Sequence, residues 1–235
     1  MAHYSWQTIA IAAATGILPT ILWLLFWLRE DRIGNKPKGL FVLCYILGAM
    51  MVFLVVPLQR FAFGFVGAGL VGIIIFAAIE ELAKYLIINT VALKSSFADR
   101  AIDFPMFLIC GALGFAALEN VFFIIGPISN GMLLDGFITG NIRFLGATLL
   151  HAMASGLFGV LIGLSFYRNW QYKPLYVFGG FTLAVLLHST FNFFIINGNG
   201  KNTLQTLAFL WVVAILNILL FEKLKRMNKK DVTTQ

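Results

Sequence analysis

Two adjacent glutamates, Glu80 and Glu81, lie in the middle of a long apolar run, and Lys84 follows them by about one helical turn. A carboxylate at the centre of a bilayer costs about 2.5–3.5 kcal/mol on insertion scales, so stability does not explain two of them side by side. Three more ionisable residues fall inside other apolar runs: Glu119, His151 and His188. Ionisable residues inside membrane segments mark functional sites, and we interpret this set as a buried polar site.

Carboxylates and imidazoles in a site that excludes water are suited to the hydrolysis of an amide bond. A carboxylate such as Glu80 or Glu81 can take a proton from water as general base, while a histidine orients the water or protonates the leaving amine. A second histidine, or Asn192 one turn after His188, can donate a hydrogen bond to the oxyanion. Two histidines and a carboxylate also form a catalytic zinc site with an open position for water. The chain has no HExxH or GxSxG motif, so the ligands of such an ion would come from different helices.

Each of these residues also has a purely structural interpretation. Glu80 and Lys84, four residues apart, could form a buried ion pair that only fixes helix packing. His151 lies beside small residues typical of close helix contacts and could make an interhelical hydrogen bond. Glu119 and Asn120 could brace two helices. Structural braces seldom need three glutamates and two histidines at one depth, and this convergence favours a functional site.

The composition places the chain among integral membrane proteins. Hydrophobic residues make up 60% of the chain and charged residues 11%, whereas soluble domains have about 45–50% and about 25%. No segment outside the apolar runs is long enough to bury a soluble core, so we predict a single integral domain over 1–235. Cys44 and Cys110 lie inside apolar runs and are expected to pack as small hydrophobic residues. The net charge of +7 is attributed to membrane topology and not to nucleic-acid binding.

Seven apolar runs reach the length of about 20 residues that is needed to cross the hydrocarbon core. They predict an all-α bundle in the lipid bilayer with seven transmembrane helices: 7–28, 40–58, 67–93, 104–126, 140–167, 174–197 and 203–221. Depth within each span follows from a rise of about 1.5 Å per residue. Glu80 is roughly 20 Å and Glu119 roughly 10 Å from the outer ends of their spans.

The two histidines are predicted at an intermediate depth. His151 and His188 lie roughly 14–16 Å from the outer ends of their spans, so four helices bring ionisable side chains to similar levels. Lys84 is expected roughly 15 Å deeper than Glu119 along the axis, which leaves Glu119 without a cation in its layer.

Basic residues are distributed unequally over alternate loops. Of the seventeen Lys and Arg residues, one lies within a span, thirteen fall on one side, and the other side holds Arg60, Arg143 and Lys201. Because cytoplasmic loops carry the excess of Lys and Arg, the N-terminus is predicted outside and the C-terminus in the cytoplasm. The connection 127–139 is then predicted as an extracytoplasmic loop, and the polar site faces that side.

Four motifs follow one another along 67–197: Glu80-Glu81-x-x-Lys84, Gly114-Phe115-x-x-x-Glu119-Asn120, His151, and His188-x-x-x-Asn192. In their order and membrane placement they resemble the PrsW family of bacterial intramembrane proteases. The chain is similar more distantly to the CAAX-prenyl and bacteriocin-immunity proteases. The first motif of that wider pattern is EExxxR, where this chain has Lys84 followed by Tyr85. Its second motif is FxxxH, where this chain has Phe115-x-x-x-Glu119. These departures disfavour a prenyl-protein substrate.

The resemblance implies a multi-pass protease of the bacterial cell membrane that cleaves membrane-anchored proteins, such as an anti-sigma factor, near the extracytoplasmic side. It implies that the glutamate pair and at least one histidine are essential. The predicted catalytic residues are Glu80, Glu81, His151 and His188, and the supporting residues are Lys84, Asn120 and Asn192. If the mechanism uses zinc, the predicted ligands are Glu119, His151 and His188.

Two other classes of protein use similar residues. A proton- or cation-coupled transporter also needs buried glutamates and histidines, although the chain lacks the paired inverted halves of many transporters. A non-catalytic scaffold that binds transmembrane helices through small-residue faces would tolerate Glu81→Gln, which a protease would not. The residues alone leave open which of Glu80 and Glu81 is the base, and whether water is activated by zinc or by a glutamate and a histidine.

Overall fold

Eight α-helices, joined by short π-helical and 3₁₀ turns, account for nearly all of residues 4–30, 36–198 and 203–232, which the computed structural model describes. The helices are α1 (Trp6–Glu30), α2 (Lys38–Val66), α3 (Leu70–Ile88), α4 (Asp103–Ser129), α5 (Leu133–Arg143), α6 (Leu149–Leu164), α7 (Lys173–Asn197) and α8 (Thr203–Val232). The π-helical turns are Asn89–Leu93 and Phe144–Thr148, and the 3₁₀ turn is Trp170–Tyr172. These residues contain no β-strand, and the predicted all-α fold is confirmed.

Six helical segments in the described ranges are long and apolar enough to cross a membrane. They are Trp6–Arg29, Lys38–Val66, Asp103–Ser129, Leu133–Leu164, Trp170–Asn197 and Thr203–Met227. These segments correspond to six of the seven predicted spans. The remaining predicted span contains α3, which has 19 residues and includes Glu80, Glu81 and Lys84. These three charged residues distinguish α3 from the other six segments. Its crossing of the membrane and the orientation of the bundle stay predictions.

The prediction that 127–139 forms a loop is wrong, because most of this stretch is helical. α4 continues to Ser129, and α5 begins only four residues later, at Leu133. α5 then passes through the π-helical turn Phe144–Thr148 into α6, so that Leu133–Leu164 is one continuous helical segment. This continuity places Arg143 inside a helical segment and not in a loop.

The second predicted span also ends too early. Its apolar run was predicted to stop at 58, but α2 continues through Gln59 and Arg60 to Val66. Polar residues do not by themselves terminate a helix, and α2 continues even through Pro57, directly before the predicted end. Gln59 is thereby held within α2, where it can face the interior. Lys201, the third basic residue predicted on this side, lies outside the described residues.

α4 is the central helix of the bundle and packs against α1, α2 and α6. Its contact with α2 depends on glycine, because a Cβ atom at Gly114 would lie 1.9 Å from the carbonyl oxygen of Tyr45. Small residues permit such close approach between membrane helices. Cys44 and Cys110 are buried at the same contact, as predicted. The Cys110 thiol donates a 3.0 Å hydrogen bond to the backbone carbonyl of Phe41.

The ionisable residues inside the bundle come from four helices that lie side by side. α3 packs against α2 and α7, whereas α6 packs against α4, α7 and α8. The residues are distributed as Glu80, Glu81 and Lys84 on α3, Glu119 on α4, His151 on α6 and His188 on α7. Because no single helix carries the whole set, the tertiary packing decides which side chains meet.

A separate group of charges joins the start of α2 to the connection before α4. The Lys36 ammonium donates a hydrogen bond to Asp99 and also lies 3.0 Å from the Asp103 carboxylate. The Arg100 guanidinium contacts Asp103 at 2.6 Å. The hydrogen bond from Lys36 holds the pKa of the Asp99 carboxyl below its usual range. These ion pairs tie the two connections together at this end of the bundle.

Candidate active site

A buried polar cluster lies between α3, α4, α6 and α7. Its glutamates Glu80 and Glu81 and its histidines His151 and His188 are each at most 6% exposed, and Lys84 is fully buried. The structure therefore brings together the side chains that were predicted at similar depths. Buried charges require partners, and the contacts of each side chain define what it can do.

Glu81 is held by three hydrogen bonds. Its Oε1 accepts from the Lys84 ammonium at 2.5 Å and from His188 Nδ1 at 2.8 Å. Its Oε2 accepts from the Ser155 hydroxyl at 2.9 Å. Lys84 is three residues further along α3, a spacing that places both side chains on one face of the helix. Both oxygens of Glu81 are thus engaged, and its carboxylate fixes the orientation of His188.

Glu80 has a different environment, because adjacent residues of a helix point about 100° apart. Its Oε1 accepts a 2.8 Å hydrogen bond from the Gln59 side chain. Its Oε2 is buried and has no hydrogen-bond partner in the described part of the chain. This oxygen lies 3.6 Å from His188 Nε2 and 3.9 Å from His151 Nδ1. One buried carboxylate oxygen therefore faces a nitrogen of each histidine without bonding to either.

Each histidine uses its second nitrogen to contact another carboxylate. His188 Nδ1 donates to Glu81, and His151 Nε2 lies 3.0 Å from Glu119 Oε2, to which it donates. The two imidazole rings are 5.0 Å apart, edge to face. Carboxylates that bind the outer nitrogen of a histidine fix its tautomer and ring orientation in metal sites.

Lys84 is closer to the histidines than its predicted depth implied. Its ammonium lies 3.1 Å from His151 Nδ1 and 5.1 Å from the centre of the Phe115 ring. Glu119 contacts the other nitrogen of the same imidazole. The expected separation of roughly 15 Å between Lys84 and Glu119 is therefore wrong, because it assumed parallel spans with level ends.

Glu119 also has the cation that the sequence did not predict for it. Arg143, at the end of α5, forms an ion pair with Glu119 and donates a 2.6 Å hydrogen bond from Nε to the Asn120 side-chain oxygen. Asn120 in turn donates to the Thr148 hydroxyl at 3.0 Å. The Arg143 guanidinium also lies 4.0 Å from the centre of the Phe123 ring. Asn120 and Arg143 thus brace α4 against the π-helical turn.

The donor set fits a metal ion, but with a different carboxylate from the predicted one. Glu80, His151 and His188 each offer one ligand atom, and these atoms lie within 4.8 Å of one another. Glu119 was predicted in this role and instead contacts the outer nitrogen of His151. Two histidines and a glutamate match the ligands of catalytic zinc sites. Such an ion would bind Oε2 of Glu80, which has no hydrogen-bond partner among the residues that the structure describes.

Several contacting residues could not be recognised from the sequence. Gln59 and Arg143 were predicted at span ends, where polar residues are common and carry no functional signal. Ser155 follows His151 by about one helical turn, but its hydrogen bond to Glu81 depends on how α6 packs against α3. Asn192, the predicted oxyanion donor, is partly buried one turn beyond His188 on α7.

Comparison with known proteins matches this chain to one family. The sequence profile of the PrsW family intramembrane metalloproteases matches residues 36–219. The protein named Protease PrsW of Oceanobacillus iheyensis is 26% identical over 230 residues, which cover 93% of this chain and 97% of that protein.

Two further bacterial proteins with the same name are similar over most of their length. That of Halalkalibacterium halodurans is 26% identical over 89% of this chain and 96% of its own length. That of Clostridioides difficile is 22% identical over 91% of both chains. No solved structure is significantly similar. With its apolar helices, the chain is a multi-pass bacterial membrane protein. The match over most of its length means that the chain belongs to the PrsW family of intramembrane metalloproteases and is a membrane protease.

Proposed function

We propose that this protease hydrolyses a peptide bond of a membrane-anchored protein, such as an anti-sigma factor, near the extracytoplasmic side of the membrane. The observation that carries the proposal is the buried Oε2 of Glu80, which faces a nitrogen of each histidine and has no hydrogen-bond partner among the described residues. A carboxylate oxygen and two oriented imidazoles around one point are what the activation of a water molecule requires.

Glu80, His151 and His188 are the residues that would hold a metal ion, and we propose zinc. When bound, zinc lowers the pKa of a water molecule and polarises a substrate carbonyl. His151 and His188 present Nδ1 and Nε2, respectively, toward Glu80. Because each ring is fixed by a carboxylate at its other nitrogen, both are preorganised before substrate enters.

The roles of the remaining polar residues follow from their contacts. Glu81 orients His188, and Lys84 balances the charge of Glu81. Glu119 orients His151 and is itself held by Arg143. Asn192 is partly buried one turn beyond His188, and we propose that its side-chain amide donates a hydrogen bond to the oxyanion of the substrate.

Glu80 is the proposed base if water is activated without a metal. Its Oε2 can accept a proton from water, whereas both oxygens of Glu81 already accept hydrogen bonds. His188, whose Nε2 faces Glu80, then accepts a hydrogen bond from the water, and the proton that Glu80 takes from the water passes on to the leaving amine. In the zinc mechanism and in the metal-free mechanism alike, Glu80 acts at the reacting centre, and Glu81 acts by orienting His188.

The experiment that tests the proposal measures cleavage of a membrane-anchored candidate substrate by the purified protein in proteoliposomes. Glu80→Gln should lower the cleavage rate by roughly 100-fold or more, since a positioned base contributes about 10²–10⁴-fold. Glu222→Gln is the matched control, because this glutamate lies on α8 and its side chain is 49% exposed. Cleavage by Glu80→Gln at the wild-type rate would refute the assignment.

A further inference from the structure

We propose that Lys84 competes with a metal ion for His151, so that the site holds either the metal or the lysine ammonium on the same nitrogen. This inference rests on the proposed zinc site and adds a residue that controls its occupation. Lys84 is fully buried, and its ammonium lies between Glu81 and His151. Balancing Glu81 alone does not require the second contact.

The contacts of His151 define the state of its two nitrogens. A neutral imidazole has one N–H donor and one nitrogen lone pair. Nε2 lies 3.0 Å from the Glu119 carboxylate, which is also paired with Arg143 and accepts hydrogen bonds. Nε2 therefore carries the hydrogen, and Nδ1 carries the lone pair. The Lys84 ammonium has only donors, so the 3.1 Å contact is a hydrogen bond from Nζ to Nδ1.

The same lone pair is needed by a metal. Nδ1 is the nitrogen of His151 that faces Oε2 of Glu80, whereas Nε2 is engaged by Glu119. A histidine binds a metal through its unprotonated nitrogen. One lone pair cannot accept a hydrogen bond and coordinate an ion at once. Metal binding therefore requires the Lys84 ammonium to leave Nδ1.

Lys84 has contacts that can retain it after it leaves His151. Its ammonium is 2.5 Å from Glu81 and 5.1 Å from the centre of the Phe115 ring, and neither contact involves a proposed ligand atom. The competition therefore involves one hydrogen bond from a charged donor, together with repulsion between two cations. The hydrogen bond alone corresponds to roughly 10- to 100-fold in metal affinity.

Zinc affinity tests this inference without relying on catalysis. Purified wild type and Lys84→Met, stripped of metal in detergent, are titrated with zinc against a chromophoric chelator. We expect Lys84→Met to bind zinc roughly 10- to 100-fold more tightly. Zinc should also raise the unfolding temperature of Lys84→Met more than that of wild type, because zinc binding to the variant does not have to break the Lys84–His151 hydrogen bond. Equal or weaker affinity in Lys84→Met overturns the competition.

A second pair of variants covers the case in which Lys84→Met does not fold. Lys84→Met leaves the buried Glu81 carboxylate without its cation, and Glu81→Gln/Lys84→Met removes both charges. The double variant is compared with Glu81→Gln, which keeps the lysine. Tighter zinc binding by the double variant supports the competition, and equal binding contradicts it.

The outcomes separate this inference from the proposed function. If wild type and Lys84→Met bind zinc equally and chelators stop cleavage, the competition is refuted and the proposed zinc-dependent proteolysis still holds. Failure of every variant to bind zinc, with cleavage unaffected by chelators, refutes both the metal site and the competition. Proteolysis by Glu80 and the histidines would then stand alone.

Discussion

Glu80 and Glu81 are neighbours in the chain, but they should respond differently to the same substitution. Glutamine has nearly the shape of glutamate and removes only the charge and one acceptor. Among the described residues, Glu80 accepts a hydrogen bond from Gln59 alone, and a glutamine at this position can still accept it. Glu81 balances the fully buried ammonium of Lys84 and orients His188. We therefore expect Glu80→Gln to fold with nearly wild-type stability and Glu81→Gln to be destabilised, while both lose cleavage.

The size of the difference follows from the Glu81–Lys84 ion pair, whose side chains are at most 1% exposed. Removing one partner of a buried pair leaves an uncompensated charge and costs about 3–5 kcal/mol. At about 2–4 °C per kcal/mol for a chain of this size, Glu81→Gln should unfold roughly 6–20 °C below wild type. Glu80→Gln removes a carboxylate that forms no ion pair with a Lys or Arg of the described residues, so its free energy of unfolding should change by about 1 kcal/mol or less.

Thermal unfolding in detergent, followed by tryptophan fluorescence, measures this difference beside the cleavage assay. Glu81→Gln/Lys84→Met is the informative control, because removing both charges of a buried pair is often neutral or stabilising. Its unfolding temperature should return toward that of wild type. Equal loss of stability in Glu80→Gln and Glu81→Gln, or no recovery in the double variant, would refute the assigned division of roles.

Three other predictions test the site, the packing and the orientation. A zinc-specific chelator should stop cleavage, and added zinc should restore it. Full activity of the metal-free protein would refute the zinc mechanism and favour water activation by a glutamate and a histidine. Gly114→Ala should destabilise the bundle by about 1–3 kcal/mol, because its Cβ would lie 1.9 Å from the Tyr45 carbonyl oxygen; Gly126→Ala on the same helix, with no atom in reach, is the control for thermal unfolding. Reporter fusions after Gln235 should signal from the cytoplasm and those within 129–132 from outside, and the reverse pattern would overturn the orientation.

The sequence predicts those features that depend on composition along the chain. Apolar runs long enough to cross a bilayer identify the helices, and the rise per residue places His151 and His188 at matching levels. These two rings are indeed 5.0 Å apart. The agreement arises because α6 and α7 are neighbours and each histidine lies near the middle of its apolar segment, Leu133–Leu164 or Trp170–Asn197.

Features that depend on the rotation and bending of helices are not predictable from the same arguments. Arg143 and His151 are eight residues apart, which on a regular α-helix separates them by about 80°. The π-helical turn Phe144–Thr148 changes that register, and Arg143 reaches Glu119. No hydropathy pattern marks the turn. For the same reason Glu119 was predicted as the third ligand, although the packing presents Glu80 to both histidines.

The arrangement of two adjacent glutamates explains how one helix can serve both structure and chemistry. Because neighbouring side chains on α3 diverge by about 100°, the two glutamates make different hydrogen bonds, although both face His188. Glu81 points where Lys84, Ser155 and His188 can saturate it, and so it can remain ionised in an apolar bundle. Within the described residues, Glu80 receives one hydrogen bond and keeps its Oε2 unbonded beside the imidazoles that Glu81 and Glu119 orient. A single glutamate could not do both, since the hydrogen bonds that stabilise a buried carboxylate also occupy the oxygen that a catalyst must keep free.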